Sequence, residues 1–210
     1  MLNNRGFDFW SKEYDKSVEI SNNDGSYPFA GYNNILNEIY NDILSKTYKN
    51  ILDIGFGTGK LISKLYRCGY KIYGQDFSEK MLEVSKEKMP HAKLYLGDFS
   101  NGLVDPLLEH KYDAIIATYS LHHLTNKKKI KFLKDLQKRL NNRGCIYIGD
   151  IIFSSRNEHD KCMIDAKNEW DKDEIYFVVD EFKAYFPEMQ FKKISECSGI
   201  ITLKNKWYLE

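Results

Sequence analysis

Two periods take turns along this chain. Phe7, Trp10, Tyr14 and Val18 fall on one face of a helix, and Tyr32, Ile35, Leu36, Ile39, Tyr40, Ile43 and Leu44 form a second helical stripe. The polar run between them, Ser21 to Tyr27, reads as a loop. Short apolar runs with a β-branched bias then alternate with further helical stripes. Ile51–Ile54, Lys71–Asp76, Ala92–Leu96, Tyr112–Ala117 and Cys145–Ile152 read as strands. Leu61, Ile62 and Leu65 mark the helix after the first strand. Ser78 caps the next helix, which carries Met81, Leu82 and Val84 and stops at Pro90. Ile130, Leu133, Leu136 and Leu140 line another, ended by a turn at Asn141–Gly144. Helices are expected around 157–168 and 179–186. Gln190–Cys197 and Ile200–Lys204 should form an antiparallel hairpin joined at Ser198-Gly199. The pattern predicts an α/β protein: a doubly wound sheet of seven strands, mainly parallel, with an antiparallel C-terminal hairpin. Its length predicts one domain over 1–210, with helices in 1–48 and the sheet in 49–210.

Composition narrows the function classes. Lys+Arg number 31 and Asp+Glu 30, so the chain lacks the basic excess of a general nucleic-acid binder. The Lys127-Lys128-Lys129 run reads as a solvated helix start. Cys68, Cys145, Cys162 and Cys197 are scattered, with no C-x-x-C pair, so free thiols are expected and neither a disulfide framework nor a structural zinc. No signal peptide and no apolar run of about 20 residues is visible, which predicts a cytoplasmic protein without a membrane span.

The chemistry concentrates at Asp53-Ile54-Gly55-Phe56-Gly57-Thr58-Gly59. Strand, glycine turn and helix in that order build a site at the carboxyl end of a parallel strand. The spacing is D-x-G-x-G-x-G, not the G-x-G-x-x-G of a dinucleotide fold, and no phosphate loop exists. A carboxylate at Asp53 would repel a phosphate and suit a cationic ligand. Asp76 ends the second strand about 20 residues beyond the turn, where an acid can accept both hydroxyls of a ribose. Phe77, Met81 and Phe99 could supply apolar walls.

This stretch resembles motif I of the class I S-adenosylmethionine-dependent methyltransferases. Thr118-Tyr119-Ser120-Leu121-His122-His123-Leu124 resembles motif IV of their small-molecule members, and the segment Trp10-x-x-x-Tyr14-Asp15 resembles one found in many small bacterial enzymes of the kind. The likeness spans the chain from Asn50 onward. It implies a Rossmann-like core with N-terminal lid helices and S-adenosylmethionine as cofactor. It implies cofactor contacts from Asp53, Gly55, Phe56, Gly57, Gly59, Asp76, Phe77, Met81, Asp98, Phe99 and Thr118, with Asp98 at the adenine amino group. His122, His123 and Tyr14 become catalytic candidates, a histidine taking a proton from the acceptor. Trp10, Tyr14, Tyr32, Tyr119 and Trp170 become acceptor-binding candidates. No metal is expected, because adjacent histidines should point in different directions. The lid, about Phe7 to Tyr32, is expected to close over the cofactor. No inserted recognition domain is visible, so the acceptor is expected to be a small molecule, not a nucleic acid, and the chain a monomer or homodimer. Two alternatives remain open: a nicotinamide-dependent dehydrogenase, disfavoured by the glycine spacing, and a cofactor-binding regulatory protein without turnover.

Overall fold

In the computed structural model, which describes residues 27–205, the alternating pattern becomes a single mixed sheet flanked by helices. The elements run α1 (Tyr32–Leu44), β1 (Asn50–Ile54), α2 (Ile62–Arg67), β2 (Lys71–Asp76), α3 (Glu79–Lys88), β3 (Lys93–Leu96), α4 (Asp105–Leu108) and β4 (Tyr112–Thr118). They continue with α5 (Asn126–Gln137), β5 (Leu140–Phe153), α6 (Arg156–Ala166), β6 (Phe177–Val178), α7 (Val179–Lys183), β7 (Gln190–Lys193) and β8 (Ser198–Lys204). Strand order is β3-β2-β1-β4-β5-β8-β7, with β6 pairing β5 off this path. Strands β1 to β5 are parallel, and β8 and β7 close the sheet antiparallel. The chain leaves β1 toward β2 on one side and returns to β4 on the other. Their carboxyl ends therefore diverge, and a crevice opens there.

Successive side chains on a strand point to opposite faces, so the core divides in two. Ile51, Ile72, Ala114, Ile116 and Tyr147 pack with α1, α2 and α3, while Leu52, Ile54, Ile115, Ile146 and Ile148 pack with α5 and α7. Helix α1 buries Ile35, Ile39 and Ile43, each 0–1 % exposed, worth roughly 1.5–3 kcal/mol apiece against leaving them in water. It lies directly on β5: a Cβ at Gly149 would sit 2.3 Å from Ile35 Cγ2. Of the segment expected as a lid only residues 27–32 are described; Ala30 and Tyr32 are buried there, and Tyr27 and Phe29 pack partly buried against the core. The expected helix through Phe7, Trp10, Tyr14 and Val18 lies outside the described residues.

The structure departs from the pattern in four places. The described residues form eight strands, because the two-residue β6 pairs with Ile152 and Phe153; so short a segment has no readable period. β5 begins at Leu140, and Asn141–Gly144, read as a turn, is an irregularity within it: Tyr112 pairs with Leu140 and Ala114 with Cys145. Asn141 Nδ2 holds that bulge by donating to Asp113 Oδ1 at 2.6 Å. The hairpin is not joined at Ser198-Gly199. Gly199 pairs with both Asp150 and Lys193 inside the sheet, and the connection is Ile194–Cys197, closed by Ile194 N–H on the Ser198 carbonyl at 2.9 Å. The lysine run is not uniformly solvated. Lys127 and Lys128 are not buried, but Lys129 is 0 % exposed; its ammonium lies 4.7 Å from the Phe177 ring centroid and donates to the Ile175 carbonyl. All four cysteines are free. Among the described residues no helix is long and apolar enough to cross a membrane.

Candidate active site

The crevice holds a pocket enclosing about 710 Å³ of space, part of it open to solvent. A larger open groove, lined among others by Tyr48, Asn142, Tyr147 and Lys192, lies at the amino-terminal ends of β1 and β5, away from the glycine turn.

The glycine turn forms the pocket floor. Gly55, Gly57 and Gly59 have φ of 69°, 53° and 73°, left-handed values that side-chain-bearing residues rarely adopt. At Gly57 an added Cβ would meet nothing within 4 Å, so the backbone is bare toward open space. Helix α3 braces the turn from behind: Ser85 Oγ donates to the Gly57 carbonyl at 3.0 Å and Lys88 Nζ to the Thr58 carbonyl at 2.7 Å. Gly59 serves that bracing and not the pocket wall, since a Cβ there would lie 2.9 Å from Ser85 Oγ. Ser120 Oγ donates to the Ile54 carbonyl at 2.9 Å and ties the loop after β4 to the end of β1.

Two acids face one another across this floor. Asp53 is 2 % exposed, and its Oδ1 has no hydrogen-bond partner. Burial first, and the Asp76 carboxylate second, push its carboxyl up to about 8, against a lowering bond from the Ile54 amide. Asp76 sits at the strand end as expected but is not exposed: it is 4 % accessible. Its Oδ2 accepts from Gly57 N–H at 2.8 Å and its Oδ1 from Ser78 N–H at 2.9 Å, two of a carboxylate's roughly four acceptor positions. The acid that marks the end of β2 therefore also shapes the glycine turn. Ser78 caps α3 through Met81 N–H at 3.2 Å, as the sequence predicts.

Phe56, Phe77, Met81, Phe99 and Thr118 join Asp53, Gly55, Gly57 and Asp76 on the pocket wall, and Tyr32, Tyr119 and His123 close its other side. Tyr32 and Tyr119 have ring centroids 5.0 Å apart, with Phe29 5.4 Å from Tyr119. Tyr119 holds a φ of 49°, unusual for a bulky residue, and its N–H donates to the Gly149 carbonyl at 2.8 Å. Leu36, Thr58, Lys60, Leu61 and Ser120 also line the pocket. Lys60 directly follows the glycine turn, and that adjacency is the signal that could have found it; its ammonium lies 5.0 Å from the Tyr32 ring centroid.

Besides Gly59, three candidates stand off this wall. Asp98 is exposed and caps a short turn, with Oδ1 accepting from Ser100 N–H at 2.8 Å and Oδ2 from Ser100 Oγ at 2.9 Å. Trp170 stacks on Tyr27 at 5.3 Å and meets Tyr176 edge-on at 4.9 Å. His122 is buried behind the pocket. Its Nδ1 lies 2.7 Å from Asp150 Oδ1 and its Nε2 3.3 Å from Glu174 Oε1. Neither nitrogen is left to take a proton from an acceptor. Burial pushes the imidazole down most strongly of any single cause, but the charge and hydrogen bond of Asp150 together with the charge of Glu174 outweigh it, and the ring stands above its ordinary value. His123 goes the other way, pushed down to about 3 by burial and then by His122, so at neutral pH it is an uncharged donor-acceptor facing the pocket. The two rings do not diverge as expected: their centroids are 4.2 Å apart. Trp10 and Tyr14 lie outside the described residues.

Glu174 carries no sequence signal, sitting in the polar run Trp170–Tyr176. Tertiary bonds bring it in. Ile175 N–H donates to the His122 carbonyl at 2.8 Å, and Tyr176 Oη donates to Glu174 Oε2 at 2.8 Å. Tyr27 and Tyr176 join hydroxyl to hydroxyl, and Asp171 N–H donates to Tyr27 Oη at 3.1 Å.

A methyltransferase-domain family model matches residues 51–144, the stretch from β1 into β5 that builds the crevice. An uncharacterized methyltransferase of Alkaliphilus oremlandii is 32% identical over 185 residues, 88% of this chain and 82% of that protein. One from Anoxybacillus flavithermus is 32% identical over 161 residues, 77% of this chain and 73% of its own. Among solved structures, the magnesium protoporphyrin IX methyltransferase of Synechocystis PCC 6803 with bound SAH has a TM-score of 0.67 at 15% identity, covering 95% of this chain and 97% of that one. A TehB-like SAM-dependent methyltransferase from Corynebacterium glutamicum has a TM-score of 0.61 at 16% identity, covering 93% and 98%. At those identities the solved structures speak to the fold, and the mixed sheet with its antiparallel C-terminal hairpin is the one they share. The crevice, the D-x-G-x-G-x-G turn and the identity to proteins of nearly matching length agree: this chain belongs to the methyltransferase family.

Proposed function

We propose that this chain transfers a methyl group from S-adenosylmethionine to a small-molecule acceptor. The observation that carries the reading is Asp53: a buried carboxylate oxygen without a partner, beside a glycine whose open side faces the same space. An unpaired buried carboxylate is costly unless a cation completes it. S-adenosylmethionine is cationic and has no phosphate, so the donor set suits it, whereas a carboxylate at Asp53 beside the glycine turn would oppose a pyrophosphate.

Asp53 and the bare backbone at Gly57, with Gly55 on the floor between them, would hold the methionine end. Asp76 would accept from the ribose hydroxyls, and Phe77, Met81 and Phe99 would flank the base. Asp98, capping its own turn, would have only a peripheral part. When bound, the cofactor supplies a sulfonium methyl already activated for in-line displacement. What the protein adds is orientation and exclusion of water. Tyr32, Tyr119 and His123 would orient the acceptor, with Thr118 between it and the cofactor. The near-balance of charge supports a small acceptor over a nucleic acid.

Two measurements test the reading. Calorimetric titration with S-adenosylhomocysteine should show one site per chain, and nicotinamide cofactors should give no heat. Incubation with methyl-labelled cofactor and a metabolite extract should move label into small molecules. Binding without any transfer would favour a regulatory protein, and no binding would remove the cofactor assignment.

A further inference from the structure

From the pocket wall at His123 inward runs a group of side chains that packing and cofactor binding do not account for together. His122, His123 and Glu174 each offer a ligand atom, and these atoms all lie within 4.8 Å of one another. They come from distant parts of the chain: the turn after β4 carries the histidines, and the segment before β6 carries Glu174.

The two contacts of His122 differ in kind. Nδ1 to Asp150 Oδ1 is 2.7 Å, the length of a charge-assisted hydrogen bond. Nε2 to Glu174 Oε1 is 3.3 Å, longer than the roughly 2.7–2.9 Å that an imidazolium proton between nitrogen and carboxylate would set. Two ligands bound at about 2.05 Å and separated by a tetrahedral angle stand about 3.3 Å apart. A neutral His122 that donates its Nδ1–H to Asp150 turns the Nε2 lone pair toward Glu174, where it meets carboxylate lone pairs unless a cation lies between. An outer carboxylate that fixes the tautomer in this way accompanies histidines that bind metals. Asp150 is fully buried in β5, and its other oxygen, Oδ2, has no hydrogen-bond partner.

The charges are compatible. The buried Lys129, which donates to the Ile175 carbonyl, offsets one of the two carboxylates, Asp150 and Glu174. One negative charge remains with both histidines neutral, so a divalent cation would leave the site at +1.

We propose that His122, His123 and Glu174 form a divalent transition-metal site, with Asp150 as the carboxylate that orients His122. Two imidazoles and one carboxylate suit zinc or a neighbouring first-row ion better than magnesium or calcium, which prefer all-oxygen shells. Three protein ligands leave a coordination position for an outside group, the arrangement of catalytic sites and not of structural ones. His123 lies on the pocket wall. Taken with the function proposed above, on which this clause alone rests, the open position would take an acceptor presenting an anionic oxygen or sulfur, such as a phenolate or thiolate.

The test uses tag-free, full-length protein stripped with a chelator and back-titrated with cobalt(II), then zinc(II). One equivalent of cobalt should give visible d–d absorption of a low-coordinate nitrogen and oxygen site, without thiolate charge transfer, and zinc should displace it. His123→Ala and Glu174→Gln should each weaken cobalt binding more than tenfold, and Asp150→Asn by about 10–100-fold. Circular dichroism of each metal-free variant establishes that it is folded. For a variant that is not, the histidine ring resonances of the wild type decide, since those of His122 and His123 should shift with one equivalent of zinc. Absence of saturable binding in the folded wild type would overturn the proposal and leave His122 as an imidazolium between two carboxylates. Equal binding by wild type and the variants would overturn it too, placing the ion elsewhere. None of these readouts involves S-adenosylmethionine, so they stand or fall apart from the cofactor assignment.

Discussion

Replacing Asp53 with asparagine should stabilise the ligand-free protein and damage its binding site in one step. The carboxyl of Asp53 is raised from 3.8 to about 8 in the folded chain. Below about pH 4 it is protonated whether the chain is folded or not. Between about pH 4 and 8 the folded chain keeps a proton that the unfolded chain has released, so stability falls as pH rises, by about 1.4 kcal/mol per unit. Above about pH 8 both forms are ionised and the loss levels off. At pH 7 the accumulated cost is on the order of 4 kcal/mol. The substituted amide has no proton to lose, so the stability of Asp53→Asn minus that of wild type should climb steadily from pH 5 to 8. Urea denaturation of both proteins at pH 5, 6, 7 and 8 measures this, and subtraction removes the titration of histidines common to both. Binding should move the opposite way. A charge-assisted bond to a cationic ligand is worth roughly 1.5–3 kcal/mol, so affinity for S-adenosylhomocysteine, which keeps the ammonium, should fall by about 10–150-fold. Wild-type binding below pH 8 should also release a proton, visible as a calorimetric enthalpy that depends on the buffer. A stability difference flat across pH would refute the buried-acid reasoning. Unchanged affinity would take Asp53 out of the cofactor site.

Asp76→Ala should cost both stability and affinity, because the Gly57 and Ser78 amides lose their acceptor; a loss of about 2–4 kcal/mol in chemical denaturation is expected, and an unaltered denaturation midpoint would show that water replaces the carboxylate. Gly57→Ala places a methyl in the open side of the turn at a φ of 53°. It should cost about 1–2 kcal/mol of stability and a larger factor in S-adenosylhomocysteine affinity, and titration showing full affinity would put the ligand elsewhere. Lys129→Met removes a buried ammonium that faces Asp150 and Glu174, and stranding those carboxylates should destabilise by about 3–5 kcal/mol; a neutral result in thermal melts would mean the acids are balanced without it.

The sheet and the pocket floor were legible in the residues because they are local. A buried strand needs a short apolar run, a left-handed turn needs glycine, and a helix start needs a cap; β1, the 55–59 turn, β2 and Ser78 each meet those needs within a short stretch of chain. Asp53 and Asp76 were found for the same reason, since adjacent parallel strands put their ends side by side. Other features depended on contacts between distant segments, which no local period encodes. Lys129 belongs to a solvated run by sequence, yet the helix phase of α5 turns it inward onto Phe177 and the Ile175 carbonyl. Trp170, an aromatic in a polar run, reads as a ligand contact, but Tyr27 stacks on it and Tyr176 meets it edge-on. Glu174 has no pattern around it and acquires a role only when the segment before β6 lies across the turn after β4. His122 and His123 look equivalent in the chain; Asp150 and Glu174, both far along the sequence, separate them into a ring held between two carboxylates and a neutral ring on the pocket wall. Local chemistry determined where a site could be built, and the packing of remote side chains around buried charge decided which residues are in it.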